Sequence, residues 1–287
     1  MCELMQERHG FPLGDSVSVI IKWAETALES GDAVAAGNSL VHAFRLGSNA
    51  SGIRLKEIAP MLEPLLDDPL QGPGAGALLA GILLMSDTEH ERAFSLFREA
   101  AECGAPDGMR GLAFMLTEGI GTEPNRTEAN KLFRRGAELG DGYCAYNMAL
   151  AARDGLGMRR SAKEFLTYLH QAAEWGVPEA CALLADQYNA RDEEEDAFKW
   201  YLVAALGGHV PAMWVVAARY EGGLGTAEDK VQAVRWLLQM MHRGNGDGFH
   251  EALRIARGMP MDDVRRAGEL ADRTADAEAI VHVVGRA

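Results

Sequence analysis

The feature that most constrains this chain is a pattern of glycines that returns every 36 residues. Three glycines stand at this spacing, each closing an amphipathic run: Gly104, Gly140 and Gly176. A Gly-x-Gly triplet recurs in phase with them, at residues 119–121, 155–157 and 223–225. Self-similarity at such a period is the signature of a tandem array of structural repeats. The spacing predicts about five units between Gly74 and Gly244, of which one is shortened to 32 residues because its loop lacks the triplet.

Each unit is predicted to contain two helices. The first carries small or apolar residues at three recurring positions: Met109, Ala145, Cys181 and Met213; Leu112, Met148, Leu184 and Val216; Ala113, Ala149, Ala185 and Ala217. The second carries bulky residues: Phe94, Phe97, Leu132, Phe133, Phe165, Leu169, Trp200, Tyr201, Trp236 and Leu237. One helix pair cannot bury such stripes alone, so neighbouring pairs must stack. The predicted fold class is therefore all-α, an α-solenoid of antiparallel helix pairs.

The loops supply signals for where the helices begin and end. A capping box, in which a polar residue is followed three positions later by an acid, is predicted to open each second helix. The five pairs are Thr88 with Glu91, Asn125 with Glu128, Ser161 with Glu164, Asp192 with Glu195, and Thr226 with Asp229. The Gly-x-Gly segment is predicted to end the first helix. The closing glycine supplies the left-handed conformation of a helix C-cap.

Alanines in the first helix, Gly-x-Gly in the loop, then A-x-x-W/F, a pair of alanines and a closing glycine together resemble the Sel-one-like repeat, a relative of the tetratricopeptide repeat. The last full unit carries the match at Gly223, Gly225, Ala233, Trp236 and Gly244. The resemblance implies a right-handed superhelix of helix pairs, used mostly as an adaptor or scaffold for protein and peptide partners. It implies no catalytic residues. Units 74–104 and 177–207 lack the triplet, so the local superhelical pitch stays open.

Three regions are expected along the chain. Residues 1–72 form an N-terminal helical segment, residues 73–244 the repeats, and residues 245–287 capping helices. A Pro/Gly-rich joint at Asp67–Gly76 separates the first region from the second, because proline lacks an amide donor and glycine relaxes the backbone. The N-terminal segment is either a separate unit or a degenerate repeat stacked on the first clear one.

Composition narrows the classes of function. The formal charge of −14 argues against a general nucleic-acid binder, which needs clustered Lys and Arg. The first explanation of this charge is solubility, and the second is attraction of a basic protein or peptide partner. No apolar run approaches the roughly 20 residues of a membrane span. The four cysteines lack CxxC spacing, so we expect reduced thiols and a cytoplasmic protein, with homo-oligomers left open.

The candidate binding surface is the concave face that the first helices would line. Its non-core positions vary between units and include the residue types that dominate protein interfaces. The candidates are Asp107, Arg110, Phe114, Tyr143, Tyr146, Arg153, Asp186 and Trp214, with Leu150, Asn189 and Glu221 at neighbouring positions. The alternative is that several of these side chains pack between units.

No enzymatic motif is recognised. The chain lacks a P-loop, a nucleophile elbow and HExxH, and no two of its eight histidines have the spacing of a helical zinc site. Neither a cofactor nor a metal site is expected, since the acidic run at Arg191–Phe198 has a capping role. Cys144 and Cys181 are read as buried thiols that could approach each other. The leading hypothesis is a non-enzymatic adaptor; the alternatives are a helical-repeat enzyme or accessory protein in a biosynthetic pathway, and a regulatory subunit.

Overall fold

A computed structural model describes residues 17–87, 89–241 and 246–285. These residues form sixteen α-helices and no strand, which confirms the all-α prediction. Their contacts divide the chain into two compact units after Val177. We call the described residues up to Val177 unit 1 and those from Pro178 onward unit 2.

Unit 1 contains nine of the described helices and one 3-10 turn, Glu63–Leu65. Helices next to each other in the sequence pack together, as in α1 with α2, α6 with α7 and α8 with α9. The joint predicted at Asp67–Gly76 is partly helical, because Pro73 lies in the first turn of a helix and needs no amide donor there. The helices are α1 (Val17–Glu29), α2 (Ala33–Arg45), α3 (Asn49–Leu62), α4 (Gly72–Met85), α5 (His90–Glu102), α6 (Pro106–Glu118), α7 (Arg126–Glu138), α8 (Gly142–Asp154) and α9 (Ala162–Glu174).

Unit 2 contains two further repeats and the C-terminal helices. The repeats comprise α10 (Pro178–Asn189), α11 (Glu194–Leu206), α12 (Val210–Gly222) and α13 (Lys230–Met241). Three shorter helices follow: α14 (Asp247–Ala256), α15 (Met261–Leu270) and α16 (Thr274–Val284). Both α14 and α15 pack against α13, and α16 packs against α14 and α15. The last repeat is therefore covered by helices of a different pattern.

The core follows the recurring positions read from the sequence. All twelve small or apolar positions of the first helices are buried. Among the bulky residues of the second helices, Phe97, Phe133, Leu169, Trp200, Tyr201, Trp236 and Leu237 are buried. Phe94, Leu132 and Phe165 are only partly buried. Apolar burial at matching positions therefore holds each helix pair to its neighbours within a unit.

The Gly-x-Gly loops share one geometry. Both glycines of each triplet adopt the left-handed conformation, with φ between 66° and 76°. The second glycine also approaches the first residue of the preceding second helix. A Cβ added to Gly121 would lie 3.1 Å from the His90 carbonyl oxygen, one added to Gly157 2.8 Å from Arg126, and one added to Gly225 2.2 Å from the Glu194 oxygen. Glycine is required there for contact as well as for conformation.

Helix capping follows the repeat only in part. Asn125 and Ser161 cap α7 and α9 as predicted. The Asn125 side chain accepts a hydrogen bond from the Glu128 amide, and the Ser161 side chain accepts one from the Glu164 amide. The prediction for Thr226 is wrong, since Asp229 caps α13 by accepting from the Gln232 amide. The structural reason is register. The amides of Asn125, Ser161 and Asp229 all donate to the carbonyl of an equivalent residue in the last turn of the first helix, Leu116, Ala152 and Tyr220.

One further predicted cap is wrong, and another lies outside the described residues. Asp192 adopts a left-handed φ of 61°, and α11 begins two residues later behind Glu193, which makes no side-chain cap. Thr88 lies outside the described residues. The helix that it was expected to cap, α5, follows Glu89 without a side-chain cap. Four of the closing glycines, Gly104, Gly140, Gly176 and Gly208, have the predicted positive φ, and Gly244 lies outside the described residues.

Candidate binding surface on the first helices

Two of the eight candidate residues are exposed aromatic side chains. Phe114 in α6 is 45% exposed, and Trp214 in α12 is 39% exposed. Because these rings are exposed while their neighbours Ala113 and Met213 are buried, each ring lies on a side of its helix that the core does not use. We call the non-core positions of α6, α8, α10 and α12 the first-helix surface. Exposed aromatic rings on it can supply large contact areas to a partner.

Arg110 is already engaged within unit 1. Its guanidinium donates to the carboxylates of Asp107 and Asp141. The Asp141 side chain is only 6% exposed, and it also caps α8 by accepting a hydrogen bond from the Cys144 amide at 2.8 Å. Burial alone would lower the pKa of Arg110, but the charges of Asp141 and Asp107 outweigh it and raise that pKa. Arg110 thereby links α6 to the start of α8.

Tyr143 lies beside two arginines. The guanidinium carbon of Arg45 is 4.5 Å from the centre of its ring, and that of Arg110 is 5.7 Å away. Arg45 ends α2, so the fold brings it to α8 from almost a hundred residues earlier in the chain. Sequence reasoning missed Arg45 because the repeat pattern does not extend to α2. The contact joins the N-terminal helices to the first-helix surface of unit 1.

Tyr146 and Arg153 lie further along α8. Arg153 donates twice to the neighbouring Asp154, with both distances 2.9 Å. These hydrogen bonds raise the pKa of Arg153 and lower that of Asp154. Tyr146 is partly buried, and its hydroxyl acts electrostatically on Arg153. Arg153 remains exposed, but its guanidinium is oriented by a residue of its own helix.

In unit 2, Asp186 accepts a hydrogen bond from the hydroxyl of Tyr201. Burial raises the pKa of Tyr201, and the bond to the Asp186 carboxylate raises it further, so the phenol stays protonated. Asp186 itself is exposed on α10. Its carboxylate is therefore held by a residue of the second helix α11.

Arg219 is a buried cation that sequence reasoning missed. It is 5% exposed, and its guanidinium donates to the Glu194 carboxylate at 2.7 Å and to the Asn189 side chain at 2.5 Å. Its guanidinium carbon also lies 5.2 Å from the centre of the Tyr201 ring. Arg219 thus connects α10, α11 and α12. The Arg219 guanidinium is therefore buried and hydrogen-bonded inside unit 2, and it is not part of the candidate binding surface.

His209 precedes α12 and caps it. Its Nδ1 accepts a hydrogen bond from the Ala212 amide at 3.2 Å. Burial lowers the pKa of His209, while the negative charges of Glu179 and Asp186 act in the opposite direction. Glu179 is exposed in the first turn of α10. His209 therefore caps α12 with an imidazole whose pKa is set mainly by burial.

Cysteines, possible metal ligands and possible membrane-spanning helices were the other features considered in the sequence. Cys103, Cys144 and Cys181 are free thiols, and burial raises the pKa of both Cys144 and Cys181. Cys144 belongs to unit 1 and Cys181 to unit 2. In residues 17–87, 89–241 and 246–285 there is no group of three or more His, Cys, Asp or Glu side chains arranged to hold a metal. Over the same residues, no helix has the length and apolar character needed to cross a membrane.

Comparison with known proteins identifies the repeat. A family model described as the Sel1 repeat matches five segments, residues 77–104, 106–141, 142–176, 178–209 and 210–245. These segments cover more than half of the chain. Their boundaries fall close to the glycines that define the period in the sequence.

Two curated proteins share part of the sequence. Chitin synthase regulatory factor 3 of Schizosaccharomyces pombe is 23% identical over 167 residues, which are 54% of this chain and 18% of that protein. DAP3-binding cell death enhancer 1 of Mus musculus is 30% identical over 122 residues, which are 42% of this chain and 21% of that protein. The chain therefore spans about a fifth of the length of these relatives.

Two solved structures share the fold. A Sel1 repeat protein from Oxalobacter formigenes superposes with a TM-score of 0.62 at 22% identity, covering 84% of this chain and 76% of that one. A protective antigen of uropathogenic Escherichia coli strains superposes with a TM-score of 0.57 at 20% identity, covering 94% of this chain and 59% of that one. At these identities the likeness shows the arrangement of helices alone.

Proposed function

Because the chain belongs to the Sel1 repeat family, we propose that it is a non-enzymatic adaptor that binds a protein or peptide on its first-helix surface. The five matched segments confirm the resemblance seen in the recurring glycines and alanines. Sel1 repeat proteins are commonly scaffolds for protein interactions. In this proposal the partner binds the non-core positions of the first helices within each unit.

The observation that carries the proposal is the exposure of Phe114 and Trp214. Large aromatic side chains contribute most of the binding energy at many protein interfaces, because they combine area with few rotatable bonds. These two rings lie at non-core positions of first helices, one in each unit. Their exposure is a cost in the free chain that burial against a partner would remove.

The net charge supports a basic partner, and the free thiols support a cytoplasmic location. A chain with a formal charge of −14 attracts cationic surfaces over long distances and speeds their association. The free thiols of the described cysteines suit a reducing compartment. We therefore expect a partner segment rich in Lys or Arg.

A second candidate function is regulation of a larger complex. The motivating observation is the S. pombe relative, whose name describes a regulatory factor. In this version the same first-helix surface binds the regulated protein. Activity of that protein, measured with and without this chain, would separate regulation from simple tethering.

Affinity purification from the organism that encodes the chain tests the adaptor function. Wild type is compared with the double variant Phe114→Ala and Trp214→Ala, and with Arg134→Ala as a control at an exposed position of the second helix α7. We expect a partner captured by wild type and the control but reduced about tenfold or more by the double variant, with melting temperatures alike. Equal capture by all three, or self-association alone, would contradict the proposal.

A further inference from the structure

The outward side of α3 carries a stripe of exposed residues at helical spacing. Residues three and four positions apart are surface neighbours on a helix. The stripe consists of Ile53, Lys56, Glu57 and Met61, and all four are exposed. Ile53 is 64% exposed and Met61 is 43% exposed. Two large apolar side chains therefore stand in solvent, one turn to either side of a charged pair. We call these four residues the α3 stripe.

A shallow groove of about 460 Å³ opens at the Ile53 end of the stripe. Its apolar walls are Phe44 near the end of α2, Ile53, and Met85 at the end of α4, and all three side chains are exposed. The two charged residues of the stripe also line it. Gly52 lets the Phe44 ring lie directly against α3, because a Cβ added to Gly52 would be 2.9 Å from a ring carbon. An apolar patch with a polar rim is typical of an interaction site.

The charged pair in the middle of the stripe is unsatisfied. Neither Lys56 nor Glu57 forms an ion pair or a side-chain hydrogen bond with any residue that the structure describes. Successive residues of a helix do not face each other, so the two charges do not neutralise one another. The neighbouring Arg54, by contrast, is paired with Glu25 of α1 at 3.0 Å. A surface that satisfies the stripe must therefore offer one acid and one base in the reverse order.

The local charge of this part of the molecule differs from that of the whole chain. Residues 33–62, which span α2 and α3, contain three Lys or Arg residues and one Glu, whereas the chain carries −14. A basic partner is therefore not attracted to this face. Exposed charges more than about 10 Å apart are largely screened at 0.1 M salt. Two copies of the chain can thus approach each other here with little repulsion from their acidic parts.

We propose that the α3 stripe binds the α3 stripe of a second copy of this chain, with the two helices antiparallel about a two-fold axis. In such a contact each residue meets its partner twice, once in each direction. Ile53 and Met61 are each four residues from Glu57, so an axis near Glu57 sets Ile53 of one copy against Met61 of the other. The same axis sets Lys56 beside Glu57 of the second copy. The flexible Met61 side chain fills the groove beside Phe44. The dimer goes beyond the adaptor function, because α3 contributes nothing to the first-helix surface.

Sedimentation equilibrium of the full chain measures the dissociation constant of the dimer, at protein concentrations from about 1 µM to about 1 mM. We expect a monomer–dimer equilibrium in wild type. Ile53→Asp places a charge in the apolar part of the contact and should raise the dissociation constant about tenfold or more. Circular dichroism melts verify that this exposed substitution leaves the chain folded.

Charge reversal tests the pairing of Lys56 with Glu57 of the second copy. Lys56→Glu sets like charges against each other and should raise the dissociation constant about tenfold or more. The double variant Lys56→Glu and Glu57→Lys restores opposite charges, so its constant should return to within about threefold of wild type. The control Lys163→Glu makes the same change in net charge at an exposed position of α9, and it should change the constant less than about twofold.

Disulfide formation tests the antiparallel register. Chains carrying Ile53→Cys or Met61→Cys, each with Cys2 and Cys103 replaced by serine, are oxidised separately and as a mixture. The mixture should form a covalent dimer, because it brings the two thiols opposite each other, and the Cα atoms of a disulfide are only about 6 Å apart. Either variant alone should not, because its two identical cysteines would lie about 12 Å apart along the helices at 1.5 Å per residue.

Several results would overturn the dimer. A chain that stays monomeric up to about 1 mM rejects it. Reaction of the Ile53→Cys thiol with a maleimide then tells whether the stripe of that monomer is open or is covered by another segment of the same chain, and both results exclude a second copy. A dimer that Ile53→Asp and Lys56→Glu leave unchanged uses another surface. A Lys56→Glu defect that the double variant does not rescue rejects the antiparallel pairing.

Discussion

Arg219 shows how one residue can leave the repeat pattern and still be part of the core. Met115 and Ala151 occupy the equivalent position in the other two repeats that carry a Gly-x-Gly triplet, and both are buried. The pattern therefore predicts an apolar residue there. The cation is tolerated because Glu194 and Asn189 supply its hydrogen bonds. Comparing the sequences of the repeats cannot identify Glu194 and Asn189 as the partners of Arg219, since each of them comes from a different helix.

Replacing Arg219 by methionine should lower the free energy of unfolding by about 2 kcal/mol, because Asn189 and the partly exposed Glu194 both lose a hydrogen bond to the guanidinium. Urea denaturation measures the change. The exposed pair of Arg153 with Asp154 provides the comparison, and Arg153→Met should cost less than about 1 kcal/mol. Similar small losses in both variants would mean that the Arg219 contacts contribute little.

His209 should make stability depend on pH. Burial places its folded pKa below the ordinary value of 6.5, so the unfolded chain protonates first as pH falls. The stability contribution is complete above pH 6.5 and is lost as pH falls through the lower folded pKa. The Nδ1 atom that caps α12 must be unprotonated to accept the Ala212 amide.

The variant His209→Asn isolates this effect. Asparagine can cap a helix without titrating, so the loss of stability between pH 7.5 and 5.5 should be smaller than in wild type. Urea unfolding at the two pH values gives the comparison, and the other histidines are common to both proteins. An identical pH dependence would show that His209 is not responsible.

At the scale of helices and loops, the glycine pattern predicted far more than the capping boxes did. Positions of the core residues and of the left-handed glycines follow from steric requirements that recur in every unit. Capping depends on where the helix begins, and Asp192 and Thr226 show that a polar residue in the loop is not enough. Counting four residues from the second glycine of each triplet finds Asn125, Ser161 and Asp229 together.

The second glycine of a triplet should be intolerant of substitution. Gly157→Ala places a Cβ 2.8 Å from Arg126 in a left-handed conformation, and we expect a loss of about 3 kcal/mol from strain and overlap. Gly81→Ala is the control, because it lies inside α4 with no atom within 4 Å of an added Cβ. That variant should gain about 0.5–1 kcal/mol. Thermal unfolding of both variants decides the point, and a harmless Gly157→Ala would contradict the proposed contact.

The candidate site was less predictable than the core. Phe114 and Trp214 are open, as expected for non-core positions, whereas Arg110 and Arg153 are engaged by carboxylates of the same unit. Whether any candidate binds a partner stays a prediction. The pattern tells which side of a helix a residue occupies, but ion pairs depend on side-chain lengths and on neighbours from other repeats. The cation–π contact of Arg45 with Tyr143 depends in the same way on a residue from outside the repeat pattern.

At the scale of the whole molecule, net charge should govern how fast a basic partner arrives. Raising the NaCl concentration from about 0.02 M to about 0.5 M should slow association of an arginine-rich peptide about tenfold or more, with a much smaller change in dissociation. Stopped-flow mixing measures both rates. A citrulline-substituted peptide should show no salt dependence, and an association rate insensitive to salt would remove the electrostatic argument.

The contact between each second glycine and the preceding second helix bears on how such a chain could grow. A block of 36 residues carries its own loop, its own cap and the surface that receives the next loop. Duplication or excision of a whole block would preserve every one of these joints. Adding or deleting a few residues inside a triplet-bearing loop would separate the glycine from its neighbour. Lineages should therefore differ in the number of complete blocks, while loop lengths vary mainly where the triplet is missing, as between α10 and α11.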